Sequence, residues 1–271
     1  MKSKPTRVKT RILRVLFLLL YHQFSWSGHG LFTGKIWDME IRIAVAKTKK
    51  YATSTSGDTV EVIERPKGGV SIVMADGQSS GRGAKWVSSF VVRKVISLLA
   101  DGVRDGAAAR AASDALYTER SGRVSATLNL LSVDLQTKTL VITRNNPAPV
   151  LVAQGNQVGC LDEESKPVGH YRDTRPQITQ VALEPGLTVV TFTDGITHAG
   201  SRTGKSLDAE HYLEQVLEGA ATARSIADSL MEKALELDQG RPVDDISIIV
   251  LQVSSNQGDQ VRRMSVRLPI G

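Results

Sequence analysis

The chain has one cysteine, Cys160, in 271 residues. No intramolecular disulfide can form, and a reducing compartment such as the cytoplasm is the natural home of such a chain. Nothing in the context Gly159-Cys160-Leu161 supplies the neighbouring base that a nucleophilic thiol needs, so Cys160 reads as an inert loop thiol. Long apolar runs are scarce as well. The segment Ile12–Tyr21 is interrupted by Arg14 and provides about half of the ~20 apolar residues required to span a bilayer. Bulky Phe24 and Trp26 follow it where a signal peptide would place small residues around its cleavage site. Aromatic residues are only 5% of the chain, and six of the thirteen (Phe17, Tyr21, Phe24, Trp26, Phe32 and Trp37) fall within the first 38 positions.

An excess of positive charge is confined to the same stretch. The net charge is +6, yet residues 1–38 hold seven Lys/Arg and one acid, which leaves 27 basic and 27 acidic residues in 39–271. The body of the chain is neutral, so the basic balance is no footprint of a nucleic-acid-binding surface. Two compositions meet near residue 39. The extension 1–38 has two readings, a start upstream of a natural Met39 or a helix that touches a membrane. Residues 39–255 carry no repeat, low-complexity block or long linker and form one expected domain; 256–271 is a polar, Arg-bearing tail.

Within 39–255, β-branched runs punctuated by turns predict strands at 41–46, 59–64, 70–75, 126–135, 139–144, 150–153, 179–183, 188–192 and 246–253. Apolar periodicity predicts helices over 82–100, 105–117, 207–217 and 222–237. Strands clustered with strands and helices arriving in pairs argue for α+β, with mainly antiparallel sheets and helix pairs on their outer faces.

Chemistry concentrates at strand ends. In Ser56-Gly57-Asp58, strand, Pro66-Lys67-Gly68-Gly69, strand, Asp76-Gly77, a turn centred on Lys67 sets Asp58 opposite Asp76. Like charges directly opposed across a hairpin are destabilising, so such a pair implies a cation between them. Asp194 follows the strand 188–192, and Asp244-Asp245 leads into the strand 246–253; antiparallel pairing brings them together. Carboxylates at four strand ends, without a His/Cys cluster of zinc-like spacing, describe an all-oxygen site for Mg²⁺ or Mn²⁺. An Asp-Gly at one strand end is by itself an ordinary turn; the combination carries the reading. A phosphate-cradling loop at 77–85 fails, because Arg82 breaks the P-loop pattern and Trp86 the dinucleotide one.

These motifs resemble the metal-dependent PPM-type Ser/Thr protein phosphatases in their bacterial SpoIIE/RsbX-like branch. The resemblance covers about 55–253 and rests on Ser56-Gly57-Asp58, Ala75-Asp76-Gly77-Gln78-Ser79-Ser80-Gly81, Ala126-Thr127-Leu128, Asn145-Asn146-Pro147-Ala148-Pro149, Pro167-Val168-Gly169, Thr193-Asp194-Gly195 and Asp244-Asp245-Ile246-Ser247. It implies an α-β-β-α sandwich with two Mn²⁺ or Mg²⁺ ions between the sheets. Asp58, Asp76, the Gly77 carbonyl, Asp194 and Asp244 would hold them, Asp76 bridging both ions, with Asp245 in support. Asp58 and Asp76 would form the catalytic centre, where a metal-activated water hydrolyses phosphoserine or phosphothreonine. The implied substrate is a phosphorylated protein, in family habit a STAS-type anti-anti-sigma or stressosome-like regulator. An inactive phosphoprotein-binding regulator of the same fold is the alternative. Three positions depart from the pattern: Gln78 stands where eukaryotic relatives often have a titratable His, His198 replaces a frequent acid and reads as a loop residue, and Asn145-Asn146-Pro147 replaces Ala-Gly-His and is given no catalytic role. Arg82 and Lys85, opening the following helix, have two readings, groups that attract phosphate or an ordinary solvated first turn.

Overall fold

A computed structural model describes residues 39–256 and 260–269; the basic extension 1–38 lies outside them. Ten strands and five α-helices follow in the order β1 (Met39–Thr48), β2 (Asp58–Glu64), β3 (Val70–Gly77), α1 (Gly81–Ala100), α2 (Asp105–Arg120), β4 (Ala126–Asp134), β5 (Thr139–Asn145), β6 (Val150–Gln154), β7 (Gln157–Leu161), β8 (Gln177–Ala182), β9 (Leu187–Phe192), α3 (Asp194–His198), α4 (Ala209–Leu217), α5 (Ala223–Leu237) and β10 (Ile246–Ser255). Two five-stranded antiparallel sheets result, β2-β3-β4-β5-β8 and β1-β10-β9-β6-β7. Among the described residues no helix is long and apolar enough to cross a membrane.

Side-chain alternation turns these sheets into four layers. On β3, Val73 and Ala75 pack with Val91, Val95 and Leu99 of α1 and with Ala108 and Leu116 of α2, while Ile72 and Met74 face the other sheet. On β10, Ile248 and Val250 meet Leu213 of α4 and Ile226 and Leu230 of α5, while Ile249 and Leu251 meet Ile72 and Met74 across the gap. Strands buried on both faces explain why 70–75 and 246–253 read as continuous apolar runs rather than alternating ones. The α-β-β-α sandwich expected from the sequence is the fold.

Two elements escape the sequence reading. Strand β7 pairs with β6 as a hairpin, and it carries Cys160, which is buried in a strand and not a loop thiol. Gly159 and the isolated Cys160 lower the β-propensity that would have marked it. Helix α3 has five residues, too few for apolar periodicity.

The β2–β3 turn sets the geometry of everything at the opposite end of that hairpin. Gly68 and Gly69 adopt φ of +79° and +84°, the Arg65 amide donates to the Gly69 carbonyl at 3.1 Å, and the Arg65 guanidinium ties the turn to Asp105 at 3.2 Å. A Cβ at Gly69 would lie 2.2 Å from the Val133 carbonyl oxygen. Gly69→Ala is therefore expected to destabilise the fold by about 1–3 kcal/mol through backbone strain, read as a lowered urea midpoint; an unchanged midpoint would show that the turn does not hold the hairpin.

Candidate metal centre

The faces that build the inter-sheet core change character at one end of the sandwich. The face of β3 carrying Ile72 and Met74 continues to Asp76; that of β2 runs from Val62 through Val60 to Asp58; that of β10 runs from Leu251 through Ile249 to Ser247. The apolar layer thus ends in a polar one where β2 and β10 begin and β3 and β9 finish. Register completes the arrangement. Asp58 is paired directly with Asp76, as the turn arithmetic predicts. Phe192 pairs with Ile248 and the Thr193 amide donates to the Ser247 carbonyl at 3.0 Å, so Asp194 arrives beside Asp244-Asp245.

Electrostatics report the crowding. Asp58 is fully buried. Its Oδ2 accepts from the Ser247 hydroxyl at 2.6 Å and the Thr193 hydroxyl at 3.2 Å, whereas no donor reaches its Oδ1. Burial lifts its pKa to about 6 against the pull of the Ser247 bond, with the Asp245 charge adding to the rise. Asp76 is pushed up to about 9, first by burial, then by the charges of Asp58 and Asp194, with Asp244 further out. Asp194 is raised too, by burial and then by Asp244, while His198 opposes the shift. A buried carboxylate oxygen without a donor, among acids that raise one another's pKa, fits hard divalent cations bound through oxygen.

The surrounding residues are more specific than the sequence indicated. Asp245 is buried and uses both carboxylate oxygens on backbone amides, Lys50 at 2.9 Å and Gly57 at 2.7 Å, which clamps the loop leading to Asp58. Asp244 has the Lys50 ammonium at 3.8 Å. Gly77 closes β3 against α1, where a Cβ would lie 2.0 Å from the Ala84 carbonyl oxygen; the close approach admits glycine alone. His198 belongs to the last turn of α3 and not to a loop. Its Nδ1 lies 3.8 Å from Asp194 Oδ2, and Asp194, His198 and Asp244 offer ligand atoms all within 4.8 Å of one another.

Lys85 follows neither reading of the helix start, since its ammonium donates to the Asp58 carbonyl and the Thr59 hydroxyl, each at 2.8 Å. Lys47 donates to the same Asp58 carbonyl at 2.6 Å. Burial pulls both ammonium groups below their ordinary pKa. Arg82 stays exposed on the first turn of α1. The Gln78 side chain accepts from the Ser125 amide at 3.0 Å and the Ser125 hydroxyl at 3.2 Å, fastening the end of β3 to the approach to β4. Asn146 is buried and donates to the Phe192 carbonyl at 3.2 Å, tying the β5–β6 loop to the end of β9. Thr193, Ser247 and Lys47 were not singled out from sequence. Each acts on Asp58 across more than ten positions of chain, and no local spacing announces such a contact.

Comparison with known proteins agrees with this architecture. Residues 66–254 match the family model described as Stage II sporulation protein E (SpoIIE). The chain is 22% identical over 228 residues to stage II sporulation protein E of Bacillus subtilis (strain 168), a match covering 79% of this chain and 27% of that protein. It is 21% identical over 214 residues to stage II sporulation protein E of Priestia megaterium, covering 78% and 36%. It therefore spans only about a quarter to a third of these relatives' length. Among solved structures, the PP2C phosphatase domain of SpoIIE from Bacillus subtilis with a fragment of its regulatory domain superposes with a TM-score of 0.70 at 20% identity, over 81% of this chain and 65% of that one. RsbX in complex with magnesium gives 0.61 at 16%, over 79% and 96%. The catalytic domain of the phosphatase PstP with two manganese ions gives 0.62 at 16%, over 80% and 99%. The fold is that of the PP2C-type serine/threonine phosphatases.

The raised Asp76 pKa has a measurable consequence. Burial and the neighbouring acids push the Asp76 carboxyl up to about 9 in the folded chain, against the ordinary carboxylate value of 3.8 in the unfolded one. The folded state binds more protons across that window, so the stability of the metal-free protein falls as pH rises through it. The thermal midpoint in EDTA is expected to drop from pH 5 to pH 9 by about 2–4 °C for each kcal/mol lost. Asp76→Asn should flatten that drop. An identical pH profile in the variant would remove Asp76 as its origin.

Proposed function

The chain belongs to the SpoIIE family, and from that footing we propose that residues 39–255 are a metal-dependent protein phosphatase domain acting on phosphoserine or phosphothreonine. The observation that carries this reading is the cluster of Asp58, Asp76, Asp194 and Asp244, in which Asp58 is buried and the other three are half-buried, with Asp58 opposed to Asp76 and one Asp58 oxygen without a donor. Asp58, Asp76, the Gly77 carbonyl, Asp194 and Asp244 would hold two divalent ions, Mn²⁺ or Mg²⁺. When bound, such ions supply positive charge for the phosphoryl oxygens of an in-line displacement and acidify a water for attack.

The chain's own groups have defined tasks in this scheme. Ser247 and Thr193 fix the Asp58 carboxylate by two hydroxyl bonds, and Asp245 holds the loop before it. Gln78 has no titratable proton and is engaged with Ser125, so no side chain at that position delivers a proton to the leaving serine oxygen. The substrate class we propose is a phosphorylated signalling protein, of the STAS anti-anti-sigma or stressosome type that the resemblance implies.

Purified protein incubated with p-nitrophenyl phosphate is expected to hydrolyse it in Mn²⁺ or Mg²⁺ and not in EDTA. Asp76→Asn should cost about a hundredfold or more in kcat/KM, the scale of losing an electrostatic contact made in the transition state. Gln78→Ala should cost less than about tenfold. Metal-independent turnover, or full activity in Asp76→Asn, would refute the two-ion assignment. A folded chain that binds Mn²⁺ yet never turns over substrate would instead be a phosphoprotein-binding regulator.

A further inference from the structure

A groove of about 760 Å³ lies between β2 and α1, on the outer face of β2 and so on the other side of that strand from the Asp58 carboxylate. Thr59 and Lys85 form its inner end, and both touch the Asp58 segment, since the Lys85 ammonium bridges the Asp58 carbonyl and the Thr59 hydroxyl. From Arg82 to Ser97 its helical wall rises about 22 Å, the span of six or seven extended residues. Its other wall is β2, an edge of its sheet, whose second side pairs with no strand among the described residues.

Charge distinguishes this groove from the rest of the body, which is neutral overall. Arg82, Lys85 and Arg93 face it against a single acid, Glu61. Arg82 and Arg93 are exposed and form no ion pair among the described residues; Arg93 is steadied by its Nε bond to the Ser89 carbonyl at 3.1 Å. Trp86 is held as a fixed wall, stacked on Phe90 with centroids 5.2 Å apart and covered by the Arg120 guanidinium at 3.9 Å. Toward the far end the lining turns apolar, with the half-buried Ile96 beside Val92, which is buried in the core.

We infer that this groove docks an extended, acidic segment flanking the phosphorylated residue of the protein substrate, with an apolar side chain about five or six positions away. The inference rests on the phosphatase reading and deepens it. Arg82 and Arg93 select acidic residues near the phosphate, the free edge of β2 offers main-chain hydrogen bonds, and the half-buried Ile96 receives the apolar anchor.

The test uses two fluorescent peptides that carry a nonhydrolysable phosphonate analogue of phosphoserine and differ only in flanking Glu or Lys, titrated by anisotropy against the full chain in Mn²⁺. The Glu peptide is expected to bind about fivefold tighter or more, the size of one or two exposed charge pairs, and the gap should shrink as salt is raised. In Arg93→Glu the order should reverse toward the Lys peptide, an outcome that misfolding cannot produce. Equal binding of the two peptides, or an unchanged preference in both Arg93→Glu and Arg82→Glu, overturns the groove assignment. Hydrolysis of p-nitrophenyl phosphate by the same preparation tells which layer has failed. Turnover with equal binding removes the groove alone, and absence of turnover in every metal removes the phosphatase reading beneath it.

Discussion

Four carboxylates held against their own repulsion are the constraint around which this fold is organised. In water such groups would separate; here strand register forbids it. Asp58 and Asp76 are opposed because the β2–β3 turn closes at Gly68-Gly69, and Asp194 meets Asp244 because β9 and β10 are locked neighbours. The apolar layers provide the restraining force. Ile72, Met74, Ile249 and Leu251 between the sheets, and the helix pairs outside them, bury enough surface that the sheets cannot part to relieve a few kcal/mol of repulsion. The energetic tension sits at the end of the core, where it perturbs little of the packing, and a cation relieves it.

Around the acids, the supporting contacts are directional rather than apolar. Ser247 and Thr193 both reach Oδ2 of Asp58 and leave Oδ1 open, so the carboxylate has one orientation. Asp245 satisfies two backbone amides at the ends of the 50–57 loop, of which that of Gly57 is buried and would otherwise be unmet. Lys47 and Lys85 converge on the Asp58 carbonyl and not on its carboxylate; they add positive potential without occupying the acid's free oxygen. Such an arrangement positions the ligand atom before any ion arrives.

Much of this was legible in the sequence, for reasons that differ by element. The opposition of Asp58 and Asp76 followed from counting across a turn, because hairpin register is local. The sheet-rich α+β plan followed from β-branched runs and paired helical stretches. What stayed hidden was either too short or too distant. Helix α3 makes barely more than one turn, so His198 looked like a loop residue although it stands 3.8 Å from Asp194. Strand β7 was masked by Gly159 and Cys160. Ser247 is 189 positions from Asp58 and Thr193 is 135; only the assembled sandwich brings them together. The contact of Lys85 with the Asp58 carbonyl is equally illegible, because a helix start beside a site says nothing about which carbonyl lies within reach.

The same electrostatics connect the centre to its edge. Aspartates alone make the end of the sandwich repulsive to a phosphate dianion, so recognition of a phosphorylated side chain depends on cations placed around them. The chain supplies two kinds of position for positive charge. Inside, carboxylate oxygens are arranged for divalent ions; outside, Arg82 and Arg93 stand along the groove that begins at Thr59 and Lys85. Charges buried at the centre act at short range and set the chemistry, whereas exposed guanidinium groups are screened within about 8–10 Å and bias only what lies in the groove. On the proposed phosphatase reading, a phosphorylated segment would be read twice by independent features, its phosphate at the strand ends and its flank along α1. Discrimination among phosphoproteins then falls to the flank, because the phosphate itself is common to them all.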